Sequence, residues 1–311
     1  MTEKTILHIN NWALTGGVPQ FIVNFARTFP EFQHVMCSLN NHEDYALVKY
    51  IREQGLKYVQ ADAITRELIE GIDPKIVILH NIQKEKFAGA YPTDILFDRR
   101  KIWYHHNVLN PIPYLLPDLN IYVSEFVKNK SKEEGIIIPP CAYSFDYNNV
   151  NRPERDEMVI GRIQSRTCGD ITDDFLSLLE GIENTKTFIV SKDRGNPIKP
   201  GMMANYLANI DVLAMWSGRV ESWSMVTTEA MLSGIPVVAY NRNCGMAEQI
   251  KASGGGMLVN SQEEFKNALE KLRDDPELRK TLAQRGKSWA LHNSSQHRLR
   301  RDLINIFLEW A

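Results

Sequence analysis

A chain of 311 residues is long enough for two ordinary domains, and 43% hydrophobic with 24% charged residues is a globular composition. The formal charge of −2 gives no general reason to expect nucleic acid or an anionic membrane as partner. No apolar run approaches the ~20 residues that span a bilayer, and the N-terminus lacks a signal-peptide profile.

Thr5–Ile9 is a short apolar run that ends in Asn10, Asn11 and, after four more residues, Gly16-Gly17. Beyond it Val18, Phe21, Ile22, Phe25 and Phe29 recur at helical spacing, with Pro19 acceptable in a first turn. A strand, a glycine turn and a helix form a plausible cradle for phosphate or sugar, because glycine lets backbone N–H groups approach a ligand. Taken alone, a tight βα turn explains the pair as well. Strands at His34–Leu39, Leu56–Val59, Lys75–Leu79, Lys101–Asn107, Asn120–Val123 and Ile136–Ile138 alternate with helices at Tyr45–Gln54 and Ile64–Ile72. Such alternation implies a parallel sheet, whose ligands bind beyond the carboxyl ends of the strands. His80, His105 and His106 fall at that edge. None has metal-ligand spacing with a carboxylate, and for His80 and His105 a packing role is the plainer reading. Cys37, Cys141, Cys168 and Cys244 show no Cys-x-x-Cys spacing, which speaks for reduced structural thiols in a cytoplasmic protein.

From residue 146 to 157 the chain is polar and aperiodic, and reads as a linker. The second half opens with Met158–Ile160 as strand, followed by Gly161, Arg162 and Arg166. Phe175–Leu179 and Met202–Leu207 read as helices, Thr187–Val190 and Ile210–Met215 as strands. Next comes a loop with Glu221, Ser222 and Trp223, then a helix over Met225–Leu232 with Ser224 as N-cap and Gly234 as its stop. Ile235–Tyr240 is a buried strand. The helix N-terminus makes an anion site, and Glu221 and Glu229, with seven residues between them, flank it with carboxylates suited to hydroxyls. The plain alternative makes Glu229 a solvated helix carboxylate and Glu221 a loop charge. A helix runs through Ile250, a strand spans Met257–Val259, and amphipathic helices fill Gln262–Leu272 and Pro276–Leu291. Leu299, Leu303, Ile306, Phe307 and Trp310 give the last helix an apolar stripe, opposite Arg298, Arg300 and Arg301. That stripe could anchor the chain end on the first domain, and the basic end could touch an anionic membrane surface.

Glu221, Glu229, Ala230-Met231, Gly234 and Pro236-Val237-Val238 together resemble the signature of retaining GT-B glycosyltransferases, most closely glycosyltransferase family 4. The resemblance extends from the Gly-Gly turn to the terminal helix. It implies an α/β fold of two Rossmann-like domains: residues 1–145 on the acceptor side, 158–294 holding the donor, the linker between, and 295–311 returning to the first domain. It further implies transfer of a sugar from a nucleoside diphosphate sugar, as co-substrate, to an acceptor hydroxyl, with no cofactor and no metal. Arg162, with Arg166 in place of the family's lysine, would hold the diphosphate. Glu229 would bind the ribose, Glu221 the sugar hydroxyls, and His106 the sugar near the reacting carbon. Gly16 and Gly17 would lie near the donor phosphate, as would the loop and helix tip formed by Ser222, Trp223, Ser224 and Met225. The family's glycines are here Ser222 and Ser224, and Trp223 either stacks on the donor or packs. Rival readings are a nucleotide-sugar epimerase or hydrolase of this architecture, a non-catalytic nucleotide-sugar-binding protein, or a phage-type enzyme glycosylating a DNA base. The donor's sugar and nucleotide and the acceptor have no readable code.

Overall fold

The computed structural model describes residues 4–11, 16–39, 44–82, 86, 92–96, 98–107, 116–131, 133–147, 153, 155–164, 171–216 and 220–310. The chain forms two compact α/β units, one from residues 1–141 with 296–311 and one from 142–295.

In the first unit, β1 (Thr5–Asn10), β2 (Gln33–Ser38), β3 (Lys57–Gln60), β4 (Ile76–His80), β5 (Arg100–His105), β6 (Leu119–Tyr122) and β7 (Ile136–Ile137) pair in the order β3-β2-β1-β4-β5-β6-β7. Every described pairing is parallel. Parallel strands need crossovers, and the helices α1 (Gly17–Thr28), α2 (Tyr45–Glu53), α3 (Arg66–Ile72), α4 (Pro92–Ile95) and α5 (Glu125–Ser131) supply several of them. Two apolar layers result. Leu7, Ile9, Val35, Val77, Leu79 and Trp103 lie on one face, and Ile22, Val23 and Met36 with Leu47 and Ile51 of α2 on the other. The chain end returns as α12 (Gln296–Trp310), whose buried stripe sets Phe307 against Phe25, Phe29 and Phe32.

The second unit holds β8 (Met158–Gln164), β9 (Thr185–Ser191), β10 (Val212–Met215), β11 (Val237–Tyr240) and β12 (Gly256–Val259), parallel in the order β12-β11-β10-β8-β9. Around them lie α6 (Asp173–Glu180), α7 (Met203–Leu207), α8 (Met225–Leu232), α9 (Gly245–Ser253), α10 (Gln262–Asp274) and α11 (Pro276–Asn293). The α/β class expected from the sequence is thus present as two parallel sheets, each packed with helices. One local expectation changes. β8 does not stop at Ile160 but runs to Gln164, so Gly161 and Arg162 are strand residues, both buried. Asp211 secures this strand, accepting from Val159 N–H at 2.8 Å and pairing with Arg155 at 3.5 Å.

Gly161 has no room for a side chain, because a Cβ there would run into Ile210. Gly161→Ala therefore overpacks the seam where β8 meets the turn into β10. A loss of about 1–3 kcal/mol is expected in denaturant unfolding of the second unit.

Candidate active site

In the second unit the candidate residues gather at the carboxyl edge of the sheet. Arg162 lies near the end of β8, only 2% exposed, and its guanidinium donates to the Met215 sulfur at the end of β10 and to Gln164 Oε1 at 3.0 Å. Eight residues after β10 ends comes Trp223, followed by the N-cap Ser224 of α8. Ser224 Oγ accepts from Thr227 N–H, the pairing expected of a serine N-cap. Its carbonyl accepts from Gln249 Nε2 at 3.3 Å, and Gln249 Oε1 accepts from Thr228 Oγ1 at 2.8 Å, so α8 and α9 are pinned together at their amino ends. Gly245, the first residue of α9, donates its N–H to the carbonyl of Glu221 at 3.0 Å. The backbone of the Glu221 loop is thereby fixed against a second helix N-terminus. Glu221, Ser222 and Met225 are half-buried. Trp223 packs, its indole N–H donating to Thr228 Oγ1 at 3.1 Å and its ring stacking on Trp289 at 6.4 Å.

Glu229 is not a solvated helix carboxylate. It is 2% exposed, in the second turn of α8, and Tyr147 Oη donates to its Oε1 at 3.0 Å. Burial pushes its pKa up to about 8, the Tyr147 hydrogen bond opposing and nearby Asp146 adding to the rise. Tyr147, itself buried, was hidden in the polar stretch that the sequence presents as linker. Arg166 lies outside the described residues.

In the first unit Gly17 opens α1, with Gly16 as its N-cap. His106 follows β5 and is buried, with Nε2 2.9 Å from Nδ1 of His80. His105, on the opposite face of the strand, sits between Trp103 and Tyr122 and donates from Nε2 to Asn120 Oδ1 at 2.9 Å, a satisfied core histidine. Asn11 and Asn81 stand one residue past β1 and β4 at the same edge as His106. Asn11 Nδ2 donates to the Asn81 carbonyl at 2.6 Å, and Asn81 has a left-handed backbone (φ 54°). The Oδ1 atoms of both are buried without a partner among the described residues, which leaves two acceptors for hydroxyl groups. Sequence reading passed over both, although paired asparagines closing an apolar strand were visible.

Residues 180–289 match the family model described as glycosyl transferases group 1. The matched stretch contains Glu221, the α8 tip and Glu229. Trehalose synthase of Rubrobacter xylanophilus is 38% identical over 87 residues, 28% of this chain. The match spans 20% of that protein's length. HepE of Anabaena, solved in complex with UDP-glucose, has a TM-score of 0.78 at 13% identity, covering 98% of this chain and 99% of that one. A glycosyltransferase from Rickettsia africae has a TM-score of 0.73 at 15% identity, covering 100% and 99%. Sucrose-phosphate synthase from Thermosynechococcus elongatus has a TM-score of 0.71 at 12% identity, covering 99% of each chain. At these identities the likeness is one of fold, and it extends beyond the matched stretch to nearly the whole chain.

Among the described residues no helix is long and apolar enough to cross a membrane. The arginines on α12 hold acidic partners: Arg298 and Arg301 pair with Asp302 at 2.8 and 3.0 Å, and Arg300 with Glu31 at 3.0 Å. Cys37, Cys141 and Cys244 are buried free thiols, and burial pushes the first two up to about 12. Cys168 lies outside the described residues.

Proposed function

We propose that this protein is a retaining, metal-independent glycosyltransferase of family 4 type, moving a sugar from a nucleoside diphosphate sugar to an acceptor hydroxyl in the cytoplasm. The observation that carries the reading is the buried carboxylate of Glu229 inside the stretch that matches the group 1 family model, on the helix whose tip and Glu221 loop are pinned at the sheet edge. Burying a carboxyl with one hydroxyl partner is costly for a structural residue. Ribose hydroxyls donating to it would offset that cost, which is why the position suits a nucleotide.

In the reaction the bond from the anomeric carbon to the diphosphate oxygen breaks and a bond to the acceptor oxygen forms on the same face. The acceptor's proton passes to the departing phosphate oxygen. Negative charge grows on the diphosphate, where the Arg162 cation and the free N–H groups at the start of α8 stabilise it. Glu221 holds sugar hydroxyls, and His106 contacts the sugar near the reacting carbon. Gly16 and Gly17 approach the phosphate or the acceptor. Arg166 would add a second cation.

The test begins with a thermal-shift panel of UDP-glucose, UDP-N-acetylglucosamine, GDP-mannose and ADP-glucose. UDP donors come first because HepE of Anabaena is solved with UDP and with UDP-glucose. Turnover with the donor that shifts most is then followed with EDTA present, and the product anomer assigned by NMR. Inversion, or an absolute need for a divalent ion, would overturn this reading. Arg162→Ala is expected to lower kcat about 100-fold or more, the usual scale for removing one preorganised charge stabiliser, while nucleotide affinity changes less. Equal losses in kcat and affinity would make Arg162 a binding residue instead.

A further inference from the structure

Four buried histidines form one continuous row across the first sheet. His34, His8, His80 and His106 come from β2, β1, β4 and the end of β5, which are consecutive neighbours in the sheet. In register, Ile6 faces His34, Ile78 faces His8 and Tyr104 faces His80. Each histidine is thus two residues further along its strand than the residue opposite the previous one. A step of two keeps all four side chains on one face while the row climbs towards the carboxyl edge. The rings touch in sequence: His34 Nδ1 to His8 Nε2 at 3.0 Å, His8 Nδ1 to His80 Nε2 at 3.2 Å, and His80 Nδ1 to His106 Nε2 at 2.9 Å. At the far end His34 Nε2 lies 2.9 Å from the Phe29 carbonyl.

That carbonyl sets the direction of the whole row. An oxygen of a peptide accepts and never donates, so His34 carries its proton on Nε2. A neutral His34 then has a bare Nδ1, which can only accept, so His8 must donate from Nε2. The same step repeats at His80 and at His106. Neutrality follows from the surroundings. All four rings are buried, and burial pushes His34 down to about 4, His106 to about 3, and His8 and His80 well below the ordinary histidine range. Phe21 and Phe25 of α1 pack against the row. Tyr104 stacks on His80 and His106, and its hydroxyl donates to the Ile138 carbonyl at 2.6 Å. Glu31, the acidic group acting on His34, is engaged by Arg300 at 3.0 Å. His105 is turned to Asn120.

We propose that His34, His8 and His80 are positioning residues that lock His106 as its Nε2–H tautomer, leaving Nδ1 as a fixed acceptor for a hydroxyl of the bound sugar. The sugar hydroxyl rests on the functional reading above; the tautomer does not. The consequence is selectivity of a definite kind. A hydroxyl can donate to Nδ1, whereas a fluorine or ether oxygen in its place meets a lone pair with a lone pair.

Long-range proton–nitrogen NMR of the protein labelled with ¹⁵N-histidine reads the tautomer directly. His106 is expected to be neutral and protonated at Nε2 from pH 6 to 8; a proton on Nδ1, or an imidazolium in that range, overturns the proposal. His8→Leu removes the acceptor for His80 and should split His106 between tautomers. His8→Asn, whose amide oxygen can stand where Nδ1 stood, should keep one form. An unchanged His106 in a folded His8→Leu protein also overturns it, and if that variant does not fold, the wild-type spectrum and His8→Asn decide. The ligand arm compares the best nucleotide sugar of the panel with its nucleoside diphosphate. His8→Leu should weaken the nucleotide sugar about 3- to 10-fold, the worth of one hydrogen bond, leave the diphosphate unchanged, and be rescued by His8→Asn. If no nucleotide sugar binds the wild type, the functional reading and the hydroxyl assignment fall together. The locked tautomer is then still decided by the spectrum.

Discussion

Acidification is expected to unfold the first unit well before the second. Each histidine of the row has its folded pKa depressed below the unfolded value near 6.5: His34 to about 4, His106 to about 3, and His8 and His80 well below the ordinary histidine range. Between those limits the unfolded chain binds protons that the folded unit refuses. Stability is therefore full above about pH 6.5 and falls as pH falls. Each refused proton costs about 1.4 kcal/mol per pH unit, so four cost on the order of 5 kcal/mol per unit. A domain stable by about 5–15 kcal/mol is exhausted within roughly one to three units of acidification. Hydrogen exchange followed by mass spectrometry should show peptides of β1, β2, β4 and β5 losing protection together near pH 4.5, with β8 and β10–β12 still protected. His34→Asn removes one titrating ring and should flatten the pH dependence by about one proton. A first unit as stable at pH 4.5 as at 7 would mean that the rings are charged or solvated in the fold.

The row also shows where sequence reading stops. The strands and helices were legible because each carries a local signal: apolar β-branched runs, helical spacing, caps and glycine stops. The helix over Met225–Leu232 has the expected bounds, with Ser224 capping through its hydroxyl and Gly234 at φ 66°, since all of its determinants lie within ten residues. His8 inside Thr5–Asn10 and His34 inside Gln33–Ser38 were visible as odd polar residues in apolar strands, but alternation gives a residue's face and not its register. Register depends on partners 26 and 72 positions away along the chain. The end of β8 is a different case. The apolar run ends at Ile160, and only the pairing of β8 with β9 through Gln164 reveals Arg162 as a buried cation in a strand. Tyr147 was lost among acidic and amide neighbours. Its burial depends on the side chain of Glu229, 82 residues on.

Glu229 makes the second unit titrate in the opposite sense, and this carries the other large expectation. Its folded pKa, about 8, is raised above the ordinary 4.5. The unfolded chain is ionised from about pH 4.5 upwards, while the folded unit keeps the proton until about 8, so this group's contribution to stability is lost as pH rises through that window. At pH 7 the difference is on the order of 3 kcal/mol. Glu229→Gln keeps the shape, removes the ionisation, and should raise the denaturation midpoint of the second unit at pH 7 and above. Nucleotide binding should respond in the reverse direction. Ribose hydroxyls donate best to an ionised carboxylate, so binding at pH 7 should release up to one proton, measurable by calorimetry in buffers of different ionisation enthalpy. Affinity should then rise with pH and level off near 8. In Glu229→Gln the proton release disappears and affinity falls about 10- to 100-fold, the worth of hydrogen bonds to a charged group. A variant that is stabilised yet binds nucleotide as well as the wild type would assign the buried carboxyl to Tyr147 alone and remove it from the donor site.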